Sequence, residues 1–238
     1  MFGWPKKKNL SRHGTPDGRS KILITGTGRA GTTMLMQLFT ALDFHTGYTF
    51  EQAMKEVDPI SHAGLENLDF GPESPYVLKS PNYADLLLPM VQEGQVKIHA
   101  AIVPMRNLYS AAESRRRVTR DAARTGFDPE IEYPGGLWLT RTHDEQESIL
   151  AIQFYKIMWG LTLFGVRPYM VEFPKFAEKS DYLWTQLEQL MNEHGVTESE
   201  FRAAFGRILR KDLIHTFQPV TASPPMEITG ELSDKRKT

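Results

Sequence analysis

Residues 21–39 read Lys-Ile-Leu-Ile-Thr-Gly-Thr-Gly-Arg-Ala-Gly-Thr-Thr-Met-Leu-Met-Gln-Leu-Phe. A short apolar run meets a glycine-rich turn. The turn opens a segment with Leu35, Leu38, Phe39 and Leu42 at helical spacing. Strand, tight loop and helix in that order predict a βα unit. The helix N-terminus aims backbone N–H groups at one point and favours an anion there. Gly26, Gly31 and Thr33 stand at the spacing of a phosphate-binding loop, Gly-x-x-x-x-Gly-Lys-Ser/Thr. One position departs from it. Thr32 fills the lysine slot, and Arg29 is the only cation in the loop. That departure argues against an ordinary ATPase or kinase and for a different phosphate-bearing donor.

The rest of the chain repeats the alternation. Strands are predicted over 22–25, 76–78, 97–103 and 169–173, where β-formers cluster in short apolar runs. Helices are predicted over 32–42, 83–92, 108–124, 144–163, 181–194 and 199–210. Strands separated by helices require crossovers, so the expected fold is a single α/β domain, a P-loop-type parallel sheet flanked by helices. Residues 1–19 read as a flexible arm, 20–218 as the domain and 219–238 as a loose tail. A chain of 238 residues buries a core without covalent staples. It holds no cysteine, which excludes disulfides, thiolate catalysis and Cys-ligated zinc. Lys plus Arg total 28 against 29 acids, so nothing draws the chain generally to nucleic acid or an anionic membrane. No apolar stretch approaches the ~18 residues of a membrane span, and a soluble, cytoplasmic protein is expected.

In such sheets ligands lie beyond the carboxyl ends of the strands. Glycines 28 and 31 let backbone approach a phosphate, Thr32 and Thr33 offer hydroxyls, and Arg29 offers a fork of donors. Lys79-Ser80-Pro81 leaves the second strand at the same edge, where a lysine can neutralise a leaving group. Arg106, Ser110 and Ser114 follow the third strand. The serines are four apart on one helix face, and with Arg106 they can hold a second phosphate. The third strand leads to Pro104, Met105 and Arg106 with no acid to hold Mg²⁺, so no metal is expected. Arg115, Arg116 and Arg117, with Arg120 and Arg124, read either as a solvated helix end or as an anion site. Met34, Met36 and Met54 read as packing, and His99 as a core or edge residue. Trp138, Phe154, Tyr155 and Trp159 read as helix packing or as an acceptor wall.

Together these segments resemble the sulfotransferases that use 3′-phosphoadenosine 5′-phosphosulfate. Arg29-Ala30-Gly31-Thr32-Thr33 is similar to their Pro-Arg-Ser-Gly-Thr-Thr loop, with Gly28 for the proline and Ala30 for the serine. Arg106 and Ser114 have the separation of their 3′-phosphate pair. Lys79-Ser80-Pro81-Asn82-Tyr83 resembles the Lys-Thr/Ser-Pro-x-Tyr segment of glycan sulfotransferases. The resemblance covers about residues 22–114. It implies that Gly28, Arg29, Ala30, Gly31, Thr32 and Thr33 bind the 5′-phosphosulfate, that Arg106 and Ser114 bind the 3′-phosphate, and that Lys79 with Arg29 assists departure of the leaving group. It also implies a glutamate base about twenty residues past the loop arginine, which selects Glu51, with His45, Glu56, Asp58 and His62 as rivals. The implied acceptor is a hydroxyl or amine of a carbohydrate, glycolipid or small metabolite. An atypical P-loop kinase or nucleotide hydrolase, and a non-catalytic nucleotide-binding module, are the alternatives.

Overall fold

The computed structural model describes residues 10–15, 18–71, 73–94, 96–128, 131–214 and 217. Four strands form one sheet: β1 (Ser20–Ile24), β2 (Val77–Lys79), β3 (Lys97–Met105) and β4 (Tyr169–Glu172). Their order is β2-β1-β3-β4 and every pairing is parallel. Helices α1 (Thr32–Ala41) and α2 (Phe50–Lys55) carry the chain from β1 to β2, and α3 (Tyr83–Gln92) carries it to β3. Helices α4 (Leu108–Arg124) and α5 (Gln146–Leu163) precede β4, and α6 (Lys175–Glu178), α7 (Ser180–Glu193) and α8 (Glu198–Ile208) follow it. This is the α/β fold expected from the alternation.

The strands are apolar on both faces, as helix-covered parallel strands must be. Ile22, Ile24, Val77, Ile102 and Val171 point into one core, shared with α1, α7 and α8. Leu23, Leu78, Ala101 and Val103 point into the other, closed by α3 and α5. The period-2 alternation of β1 therefore feeds two cores.

The chain leaves β1 for β2 on one side and returns beyond β1 to β3 on the other. That reversal opens a crevice at the carboxyl edge, between the loops that follow β1 and β3. The bond from Thr25 N–H to the Ile102 carbonyl, 3.0 Å, holds the two strand ends side by side there.

Local differences have local causes. Helix α2 lies where no helix was expected. Its start carries a capping box, Gln52 N–H to Thr49 Oγ1 at 3.2 Å and Thr49 N–H to Gln52 Oε1 at 2.9 Å, and the Thr-x-x-Gln signature stands in the sequence. The short α6 was also unforeseen. Helix α5 begins at Gln146, after a 3₁₀ turn at His143–Glu145. In the expected flexible arm, residues 1–9 and 16–17 lie outside the described residues, as does the expected tail. Arg12 is tied down, donating to the carbonyls of Leu42 at 3.1 Å and Gly195 at 3.2 Å.

Candidate functional site

The loop after β1 is shaped by residues with positive φ: Gly28 (73°), Arg29 (56°) and Gly31 (80°). Glycine is required twice for space as well. A Cβ on Gly28 would lie 2.5 Å from Arg115 Nη2, and one on Gly31 would lie 2.6 Å from Phe176 Cζ. Gly31 is the N-cap of α1, and among the described residues no side chain caps that helix. Its first-turn N–H groups therefore point into the loop, the arrangement that receives an anion.

Cations converge on this loop from the ends of β2 and β3, beside the loop's own Arg29. Lys79, 1 % exposed, donates to Thr33 Oγ1 at 3.3 Å, to the Gly64 carbonyl at 2.5 Å and to Glu66 Oε1 at 2.5 Å. Burial lowers its pKa, Glu66 opposes that shift, and Arg29 adds to it. Arg29 donates to Ser114 Oγ at 3.1 Å and to the Ser61 carbonyl. Arg106 donates to the Arg29 carbonyl at 2.8 Å, and its guanidinium stacks on the rings of Phe173 and Phe217. Burial, reinforced by neighbouring arginines, pulls Arg29 and Arg106 each down to about 10.

These residues line one continuous cleft of about 580 Å³. Gly28, Arg29, Gly31, Thr32, Thr33, Lys79, Arg106 and Ser114 all reach it. Ala30 does not. It lies within the loop and is buried. Around the cleft six cationic side chains face four carboxylates, although the chain as a whole carries a formal charge of −1. The cleft is thus locally positive and suits an anion. Among the described residues no group of three or more His, Asp or Glu is placed to hold a metal ion.

Glu51 is not brought to the cleft. It stands exposed on α2 and pairs with Lys55 Nζ at 2.6 Å, one helical turn away. His45 lies beside the start of β2, whose Val77 N–H bonds its carbonyl, at the opposite edge of the sheet. Glu56, Asp58 and His62 do line the cleft. Burial pushes the Asp58 carboxyl up, but bonds from the Ser61 and Ile60 N–H groups and the Tyr133 hydroxyl outweigh it and hold the group low. His62 is kept below its ordinary value by burial first, then by Arg29 and Arg210.

Several cleft residues are not singled out by the sequence, Glu66 and Arg210 among them. Glu66 sits in a loop with no periodicity, and the Lys79 contact alone brings it in. Arg115 belongs to the arginine run that reads as a solvated helix end or as an anion site, and it is 4 % exposed. It donates to the Thr27 and Gly136 carbonyls, both at 2.7 Å, and stacks on Trp138. Among the described residues its Nε is buried with no hydrogen-bond partner, and burial pulls its pKa down to about 9. Arg117 lines the cleft as well, whereas Arg116, Arg120 and Arg124 pair with acids outside it. Trp138 is a wall residue. Phe154 packs in the second core, and Tyr155 and Trp159 are exposed on α5. Met34 and Met54 pack against the first core, as expected, and their remaining surface lines the cleft.

No protein-family model and no curated protein matches the chain. Among solved structures it is similar to a sulfotransferase domain from the curacin biosynthetic pathway, at 18 % identity over 77 % of this chain and 76 % of that one, with a TM-score of 0.40.

Proposed function

We propose that this chain transfers a sulfuryl group from 3′-phosphoadenosine 5′-phosphosulfate to an acceptor hydroxyl or amine. The observation that carries this reading is the convergence of Lys79 and Arg106, from two strand ends, on one arginine-bearing phosphate loop, at Thr33 and at the Arg29 carbonyl. Such a cleft suits a donor with two separated anionic ends. The unpartnered Arg115 Nε and the lowered arginines also favour an incoming anion, which would stabilise their charged forms. The donor supplies the activated sulfuryl group.

The loop N–H groups and Thr33 would hold the 5′-phosphosulfate. Arg29 and Lys79 would stabilise charge growing on the bridging oxygen, interactions that strengthen as the bond breaks. Arg106 and Ser114 would hold the 3′-phosphate and select this donor over ATP. Glu66 takes the role expected of Glu51, since Lys79 holds its carboxylate at the reacting edge. The acceptor atom forms the new bond to sulfur. The electron pair of the old S–O bond passes to the 5′-phosphate oxygen, and the acceptor proton goes to Glu66.

Calorimetric titration with 3′-phosphoadenosine 5′-phosphate, ATP–Mg²⁺ and NAD tests this reading. The bisphosphate is expected to bind best. Arg106→Ala is expected to weaken it about 10- to 100-fold, the loss of one charged hydrogen-bond donor, and to leave adenosine 5′-phosphosulfate nearly unaffected. Equal losses would remove the 3′-phosphate assignment. Tighter binding of ATP–Mg²⁺ would return the kinase or hydrolase reading.

A further inference from the structure

The cleft continues past the cations along α1, α2 and the end of α8. There its wall is made by Met34, Met54, Val57, Ile208, Leu213 and Ile214. All but Ile208 are only partly buried, so apolar surface faces open space. Water against that surface is unfavourable, and an apolar ligand would displace it. Two of the six are methionines, whose flexible thioethers adapt to varied shapes.

Three polar side chains beside this wall are already committed. Gln37 Nε2 donates to the Ala53 carbonyl at 2.9 Å. Asp58 accepts from Ser61 and Ile60 N–H groups and from the Tyr133 hydroxyl. Arg210 pairs with Asp212 at 2.8 Å. A carbohydrate needs several uncommitted donors and acceptors to replace the water it loses, and buried hydroxyls left unmatched are costly. An alcohol or phenol with an apolar body needs one polar contact, at the end where Lys79 and Glu66 lie.

We infer that the acceptor is an alcohol or phenol whose hydroxyl meets Glu66 and whose apolar body lies along the Met34–Met54–Ile214 wall. This rests on the sulfuryl-transfer reading and replaces the carbohydrate expected from the Lys79-Ser80-Pro81 segment.

The test uses 4-ethyl-, 4-butyl- and 4-hexylphenol, with glucose and trehalose as polar probes. Each is titrated into the full chain with and without saturating 3′-phosphoadenosine 5′-phosphate. Affinity is expected to rise about three- to fourfold per added methylene, with no measurable binding of either sugar. Met54→Ser, with its fold checked by thermal melting, is expected to flatten the series while bisphosphate affinity stays within twofold. A flat series in the wild-type chain, a series that Met54→Ser leaves unchanged, or tighter binding of a sugar overturns the inference. Absence of bisphosphate binding beside an intact alkylphenol series overturns the donor reading instead, and leaves an apolar-ligand site.

Discussion

Replacing Gly28 by alanine places two separate loads on the phosphate loop. Residue 28 has φ 73°, a left-handed conformation that costs an L-residue about 1–2 kcal/mol. The new Cβ would also lie 2.5 Å from Arg115 Nη2. A guanidinium end ordinarily moves aside cheaply. Here it is buried, bonded to the Thr27 and Gly136 carbonyls and stacked on Trp138, so moving it breaks the Thr27 bond. Losing a hydrogen bond from a charged donor costs about 1.5–3 kcal/mol. The expected total for Gly28→Ala is therefore about 2.5–5 kcal/mol, read from urea unfolding at fixed pH and salt. In an Arg115→Ala background the clash is absent and only the conformational strain remains, about 1–2 kcal/mol. The cycle should thus give a coupling near the hydrogen-bond value. If Gly28→Ala costs the same in both backgrounds, the guanidinium does not set the space at residue 28, and the clamp on Thr27 has no energetic weight.

Glu66→Gln is expected to lower kcat by about 10²- to 10⁴-fold, the range of general-base catalysis, with bisphosphate affinity unchanged. Glu51→Gln should retain full rate, because its exposed pair with Lys55 is worth at most about 1 kcal/mol; the reverse pattern in stopped-time assays would restore Glu51 as base. A third expectation concerns pH. His194 is 3 % exposed; its Nδ1–H donates to the Leu190 carbonyl at 2.8 Å, so Nε2 accepts from the Tyr76 hydroxyl at 2.9 Å. Burial holds its pKa below the ordinary value, with further lowering from His99 and Arg12. The unfolded chain therefore takes up this proton first on acidification. The stability tied to His194 is complete above about pH 6.5 and falls as pH drops below it. His194→Gln should flatten that limb of the unfolding free energy against pH, and an unchanged slope would remove His194 as its source.

Much of this protein is written locally in its chain. The strand, loop and helix of residues 20–41 follow from an apolar run, three glycines and a helical apolar stripe, each readable within a few residues. The same holds for α3 and α4, whose ends match the sequence pattern. Arg29, Lys79 and Arg106 were legible because each lies at a strand end or in the loop after it, and parallel strands deliver such residues to one edge. Ser114 was legible because its spacing places it two turns into α4.

Tertiary structure decided the remainder. Glu51 has a suitable separation from Arg29, but α2 sets it about 200° round the helix from buried Ala53, facing water. Glu66 enters through Lys79, and Arg115 is buried because the loop around Gly136 and Trp138 closes over it. The apolar wall joins α1, α2 and the chain after α8, segments far apart in sequence. Local propensity determines where strands, turns and helices begin, because those energies depend on neighbouring residues. Which side chains meet in a cleft depends on how elements pack across long sequence separations, and no short segment encodes that.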